Sequence, residues 1–286
     1  MGPGRRGGRG VRPASAEQER RDPARASAGY RLAALWPPLA WMLAFVAAPT
    51  LIIAAYSFFT RDDLGRPAPA FVLDAWRSAL SRDHLALFWR SAWVAAVSTA
   101  LCLAIAYPVA YFIAGGGRWK NALLALVVLP FWTNFLARTT AMQMILVRVL
   151  GPEFHSPAAV IAGLVYSYLP FMVLPLYVSI EKVPKRLLEA AADLGASPAR
   201  SFWSVTVPLT APGIAAGCVL VFIPCFGAFV TPALLGSPRE QLLGTQIAVA
   251  YRANVPVASA LSMTMMAAVL VLLAIYYRVK KTDGIV

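Results

Sequence analysis

The sequence predicts an all-α membrane protein with six transmembrane helices. Of its 286 residues, 59% are hydrophobic and 14% are charged, and the mean hydropathy is +0.64. This composition is too apolar for a soluble domain. Six apolar segments are each about 20 residues or longer, enough to cross roughly 30 Å of hydrocarbon. They are residues 35–59, 92–114, 122–145, 158–180, 211–235 and 257–277.

Basic residues predict the orientation of these segments. Lys and Arg number 17 in the tails and connections assigned to the cytoplasm, against 8 in the opposite connections. Cytoplasmic connections carry such an excess in membrane proteins. We therefore expect both termini to lie in the cytoplasm.

The composition also divides the chain. Residues 1–31 are rich in Arg, Gly, Pro, Ala and Ser and contain no apolar run, so we expect a disordered basic cytoplasmic tail and not a cleaved signal. Residues 32–281 are the expected transmembrane domain, and residues 282–286 are a short C-terminal tail. The net charge of +13 resides mostly in membrane-flanking segments, which favours contact with membrane lipid and argues against nucleic acid binding.

Prolines occur inside several predicted spans. Each removes a backbone donor and tends to kink a helix, so the spans could line a cavity. The alternative is that membrane helices simply tolerate proline. These residues are Pro108, Pro130, Pro170, Pro175, Pro224 and Pro232.

Residues 181–210 carry the most distinctive pattern of the chain. Their alanines predict a short helix with a low surface profile, which Gly195 can end as its C′ residue. Ser197 and Pro198 suit the N-cap and first residue of a second helix. We interpret the segment as a docking element for another protein, with an ordinary amphipathic surface helix as the alternative.

No catalytic constellation is visible in the sequence. His84 and His155 stand in separate predicted external loops, and the three cysteines lie in apolar segments without C-x-x-C spacing. No lysine follows a glycine, so the phosphate-binding pattern G-x-x-x-x-G-K-[ST] is absent. We expect no enzyme activity, no cofactor and no metal site, and any energy from ATP must come from a partner.

Five residues within or near the spans are candidates for a solute pathway. Arg138 lies toward the outer end of the third predicted span, where a charge is costly unless it faces water, a cavity or the headgroups. The alternative is that it snorkels to the outer surface. The other candidates could line a path near kinks or could serve in packing. They are Tyr166, Tyr168, Phe229 and Thr231.

The pattern Glu189-Ala-Ala-Ala-Asp-Leu-Gly195, followed by Val-Thr-Val-Pro ending at Pro208, resembles the EAA loop of permease subunits of ATP-binding-cassette (ABC) importers. Val205 and Val207 stand where that loop has Ile and Leu. Residues 165–177 and 226–236 resemble the corresponding segments of spermidine/putrescine importer permeases. With shorter matches at 138–141 and 256–260, the resemblance covers most of residues 90–280.

The resemblance implies a six-helix permease in the inner membrane. It would pair with a second permease, two ATPase subunits and an extracytoplasmic solute-binding protein. It also implies that the EAA loop is the coupling helix that contacts the ATPase. The coupling residues would be Glu189, Ala190, Ala191 and Gly195.

The same resemblance implies a polyamine or a related organic cation as the solute. Ala228 stands where many such permeases have an acidic residue, which adds it to the pathway candidates and keeps opines, phosphonates and iron as alternative solutes. A secondary transporter driven by an ion gradient is the rival of another class. It would be expected to use intramembrane acids, and none of the six predicted spans contains Asp or Glu.

Overall fold

The computed structural model describes residues 35–62, 67–151, 154–238 and 241–283. The predicted tail 1–31 and residues 284–286 lie outside these ranges. The chain divides into two compact units, Met1–Ile52 and Ile53–Val286. In the first unit the described residues are helical. The second unit contains the remaining elements.

Helices make up most of the described chain, and two short strands, β1 (Thr60–Arg61) and β2 (Pro67–Ala68), pair antiparallel. The helices, in chain order, are α1 (Leu35–Tyr56), α2 (Asp74–Ala79), α3 (Arg82–Gly115), α4 (Lys120–Val128), α5 (Phe135–Leu150), α6 (Pro157–Glu181), α7 (Lys185–Asp193), α8 (Pro198–Phe226), α9 (Val230–Leu235), α10 (Leu243–Ala253) and α11 (Val255–Asp283).

Five helices within the described ranges are long and apolar enough to cross a membrane, namely α1, α3, α6, α8 and α11. The bent pair formed by α4 and α5 would be the sixth span. The all-α membrane fold predicted from the sequence is therefore confirmed. The last helix also extends two residues into the predicted C-terminal tail.

The third predicted span, 122–145, is not one helix. Its halves are bent by 90° at a break of a few residues. Pro130 lies in the 3₁₀ turn that ends the first half, and Thr133 is extended with ψ 149°. Asn134 then starts α5, because its side chain accepts from two first-turn backbone N–H groups at 2.9 and 3.3 Å. Local capping thus redirects the chain.

The fifth predicted span, 211–235, does not coincide with the helix that the structure contains. The long helix α8 starts earlier, at Pro198, and ends at Phe226. A break at residues 227–229 separates it from α9. A π-helical turn at Phe202–Thr206 lies within α8, just before Pro208 and Pro212 in the following turns of the helix. The connection predicted over 236–256 contains the helix α10.

The centre of the second unit consists of α3, α6 and α8, which pack on one another. Small residues permit this close approach, as is usual between membrane helices. A Cβ added at Gly217 of α8 would lie 2.6 Å from Sδ of Met172 on α6. The hydroxyl groups of Tyr107 on α3 and Thr210 on α8 share a hydrogen bond of 2.8 Å.

Gly213 provides a direct test of this packing. A Cβ at Gly213 would lie 2.9 Å from the backbone carbonyl oxygen of Pro175 and would also overlap Ser179. Gly213→Leu should separate α8 from α6, and overpacking of this kind costs about 1–3 kcal/mol. We expect a lower Tm for the purified protein in detergent. Gly115→Leu is the matched control, because nothing lies within 4 Å of a Cβ there; equal Tm values for the two variants would contradict the packing argument.

Candidate functional site

The first helix of the predicted docking element, residues 181–210, ends where its sequence predicts. Pro184 is the N-cap of α7, one position before the first helical residue. Gly195 follows the C-cap Leu194 and has φ 78°, so the prediction that it ends the helix as the C′ residue is confirmed. The N–H of Gly195 donates to the carbonyl of Ala192 at 2.8 Å, and the N–H of Ala196 donates to that of Ala191 at 2.9 Å. This pair of bonds is a Schellman motif, which satisfies carbonyls at the helix end.

Most of the surface of α7 is exposed in the described chain, although the helix contacts the start of α8. Glu189 and Ala190 are exposed, and Ala191 is half-buried. Leu194, just beyond the helix, is 89% exposed. The helix therefore presents a carboxylate, small residues and an apolar residue together.

Two short connections join α7 to the core. Three residues separate it from α6. On the other side, the Ser197 side chain accepts from the Arg200 N–H at 3.3 Å and so caps the start of α8. These short connections link α7 to two central helices, since α6 and α8 pack on each other.

A cavity of about 480 Å³ lies behind α7. Lys120 and Glu181 line it together with Lys185 and Leu188. Nζ of Lys120 lies 2.5 Å from Oε1 of Glu181, and the two side chains are 40% and 42% exposed. A pair this exposed adds little stability, but it joins the first residue of α4 to the end of α6.

Arg138 lies in the first turn of α5, at the 90° bend. The third predicted span is not straight at this residue, because the chain turns at Thr133, and the outer position of Arg138 stays a prediction. Nη1 of Arg138 donates to the carbonyl of Pro130 at 2.7 Å. Its guanidinium carbon lies 5.8 Å from the ring centroid of Phe135 and 5.5 Å from that of Tyr166. This contact joins α5 to α6.

The structure places the Arg138 guanidinium over the ring of Tyr166, whereas Tyr168 lies on another side of α6. Two residues correspond to about 200° around a helix, so neighbouring tyrosines of α6 point in different directions. Tyr166 is 47% exposed, whereas Tyr168 is half-buried against the core, with its ring 6.1 Å from that of Phe171.

The three remaining candidates lie at the break between α8 and α9, in different surroundings. Ala228 is buried, and a Cβ at Gly244 would lie 2.6 Å from its carbonyl oxygen. Thr231 is buried against Gly163. Phe229 is 53% exposed and lines a cavity of about 790 Å³ between α10 and α11. Of the three, only Phe229 faces open space.

Two polar contacts between elements were missed by the sequence reasoning. Nε2 of Gln143 donates to the carbonyl of Leu234 at 2.9 Å, which joins α5 to α9. The hydroxyl of Ser91 accepts from the N–H of Leu243 at 2.8 Å, which ties the start of α10 to α3. A polar side chain inside an apolar run was the available signal, but it does not reveal its partner. Within the described residues, no group of three or more His, Cys, Asp or Glu could hold a metal ion.

Comparison with known proteins gives consistent matches. The family model of the binding-protein-dependent transport system inner membrane component matches residues 105–281. The chain is 38% identical over 263 residues to the spermidine/putrescine transport system permease protein PotB of Haemophilus influenzae, which covers 84% of this chain and 91% of that protein. It is 38% identical over 260 residues to the protein of the same name in Escherichia coli K12, covering 84% of this chain and 94% of that protein.

The fold has relatives among solved structures. A bacterial ABC transporter involved in the import of the acidic polysaccharide alginate contains a chain with a TM-score of 0.64 and 17% identity, covering 93% of this chain and 99% of that one. At this identity the likeness concerns the fold alone. Taken with the family match and the 38% identity over most of the chain, these findings show that the chain belongs to the inner membrane components of binding-protein-dependent transport systems, the permease subunits of ABC importers.

Proposed function

We propose that this chain imports spermidine, putrescine or a related organic cation as one permease subunit of an ABC importer. The observation that carries the proposal is the 38% identity, over 84% of the chain, to permeases named for these two solutes. The complete transporter would contain a second permease, two ATPase subunits and an extracytoplasmic solute-binding protein. Both termini and α7 would face the cytoplasm.

In this proposal α7 is the coupling helix. Ala190 and Ala191 permit close approach of an ATPase, Glu189 offers a carboxylate to a basic group on it, and Gly195 ends the helix so that the chain can return to α8. The exposure of this surface supports such a role. Closure of the ATPases around ATP would displace α7 and, through its short connections, α6 and α8. The spans would then switch between outward-facing and inward-facing arrangements.

Charge balance constrains how the solute is recognised. The six apolar segments contain no Asp or Glu, so an ammonium group inside this subunit would meet carbonyl oxygens and aromatic faces. Any acid on the path would belong to the second permease. Discrimination between solutes would then depend mainly on the binding protein.

Uptake measurements test the proposal. We expect cells that express the complete transporter to accumulate labelled putrescine or spermidine, and an unlabelled polyamine to compete with it. A neutral or anionic solute should not compete. Robust transport of an anion alone would contradict the assignment, while leaving the family unaffected.

The orientation has its own test, after Cys102, Cys218 and Cys225 are replaced by Ala or Ser. Single cysteines at Ser81 and Ser237 should react with a membrane-impermeant thiol reagent in intact cells, because the summed count of basic residues assigns both connections to the outside. Cysteines at Ser197 and Thr282 should react only after permeabilisation. Labelling of the Ser197→Cys variant in intact cells would overturn both the orientation and the coupling role of α7.

A further inference from the structure

The surroundings of Arg138 are those of a cation site. Within the described chain its side chain contacts the carbonyl of Pro130 and the rings of Phe135 and Tyr166. A carbonyl oxygen and the faces of two aromatic rings all carry partial negative charge. Each attracts a cation, although none bears a formal charge. The adjoining apolar segments, 122–145 and 158–180, contain no acid that could pair with the guanidinium.

The alternative, an anion site built around Arg138, lacks the donors it would need. The N–H groups of Leu136 and Ala137 already donate to Oδ1 of Asn134, and the N–H of Arg138 donates to the carbonyl of Asn134 at 3.1 Å. An anion would therefore find few free backbone donors at this helix start. The carbonyl of Pro130, which also accepts from the Thr133 hydroxyl at 2.6 Å, would repel it.

Arg138 is also incompletely satisfied where it lies. Its Nε is buried without a hydrogen-bond partner, which carries an energetic cost. In addition, the guanidinium stands in the first turn of α5, where the helix dipole disfavours a positive charge. Displacement of this side chain into water is thus less costly than displacement of a fully paired arginine. Tyr166, at 47% exposed, leaves the ring accessible.

We propose that the Pro130 carbonyl and the Tyr166 and Phe135 rings form a cation subsite on the solute path, which Arg138 fills in the solute-free transporter and vacates when the solute's ammonium group enters. This inference rests on the proposed function, since it requires a cationic solute. An ammonium group has the donors to bind the carbonyl while it lies against the ring of Tyr166. The Arg138 side chain and the solute compete for the same carbonyl and rings. Displacement of Arg138 couples occupancy of the subsite by the solute to the bend between α4 and α5.

The test uses the complete purified transporter in detergent without the binding protein, and the probe is putrescine. Arg138→Gln removes the competing charge but retains an N–H donor for the Pro130 carbonyl. We expect the putrescine concentration that gives half of the maximal thermal stabilisation to fall about tenfold, because a competing occupant has been removed. Arg138→Lys keeps the charge and should resemble wild type. An unchanged or higher half-saturating concentration in a folded Arg138→Gln transporter would overturn the subsite.

The Tyr166 variants keep the proposal testable even if Arg138→Gln does not fold. Tyr166→Phe preserves the aromatic face and should retain putrescine binding and uptake, whereas Tyr166→Leu should lower both. Equal behaviour of the two variants would overturn the subsite. If the wild-type transporter carries polyamines but these variants do not differ, the subsite proposal is wrong and the proposed function stands. If the wild type carries no polyamine, the proposed function is wrong, and the subsite proposal that rests on it is wrong as well.

Discussion

Gly195→Val should abolish solute uptake while leaving the protein inserted in the membrane. Gly195 has φ 78°, a conformation that a β-branched residue adopts only at considerable cost. Nothing lies within 4 Å of a Cβ at this position, so the expected damage comes from the backbone alone. The end of α7 would change direction, and the ATPase would lose its docking surface. Uptake and co-purification of the ATPase measure the effect.

Gly195→Asn is the matched control, because asparagine tolerates positive φ better than other non-glycine residues. It adds a side chain in the same open space but should keep the helix end and most of the uptake. If the Val and Asn variants lost activity equally, bulk at the docking surface and not backbone conformation would be responsible.

Glu189→Lys tests the electrostatic part of the same surface. The carboxylate is exposed on α7, and reversal of its charge should repel a basic group on the ATPase. We expect weaker co-purification of the ATPase, lower uptake and normal membrane insertion. Glu189→Gln, which removes the charge without reversing it, should be less affected. Normal co-purification and transport in both Glu189→Lys and Gly195→Val would remove the coupling role of α7.

Ala228→Glu, which places an acid at the position that the resemblance to polyamine permeases singled out, should yield little folded protein. Ala228 is only 7% exposed and belongs to the buried core. An unpaired carboxylate there would be desolvated, at an effective cost of several kcal/mol. We expect a sharp loss of purified protein and of thermal stability in detergent.

Phe229→Glu is the control for this substitution, because the adjacent residue is 53% exposed and lines a cavity. A carboxylate at position 229 could extend into the cavity and would be less desolvated, so it should be tolerated better than a carboxylate at position 228. A stable Ala228→Glu protein with stronger cation uptake would show instead that Ala228 lies on the solute path.

The membrane class and the local form of the docking segment could be predicted because both depend on residues close together in the chain. Apolar runs of sufficient length determine spans by composition alone. Gly195 and Ser197 act on backbone groups within a few positions of themselves, so the helix end with φ 78° and the cap at 3.3 Å were accessible to sequence reasoning.

The bend in the third span shows the limit of this reasoning. The apolar run at 122–145 is long enough for one helix, and hydropathy does not register that Asn134 caps a new one. Pro108, by contrast, lies inside the continuous helix α3. A proline therefore signals a possible break, and the residues that follow it decide whether the chain turns.

For this protein, the sequence by itself determined the membrane class, the family resemblance and the helix end at Gly195. Only the tertiary structure decided that Arg138 meets Tyr166, that Tyr168 turns toward the core and that Ala228 is buried. The physical reason is that hydropathy and capping act within one or two helical turns. The direction and burial of a side chain depend instead on which distant helices pack against it.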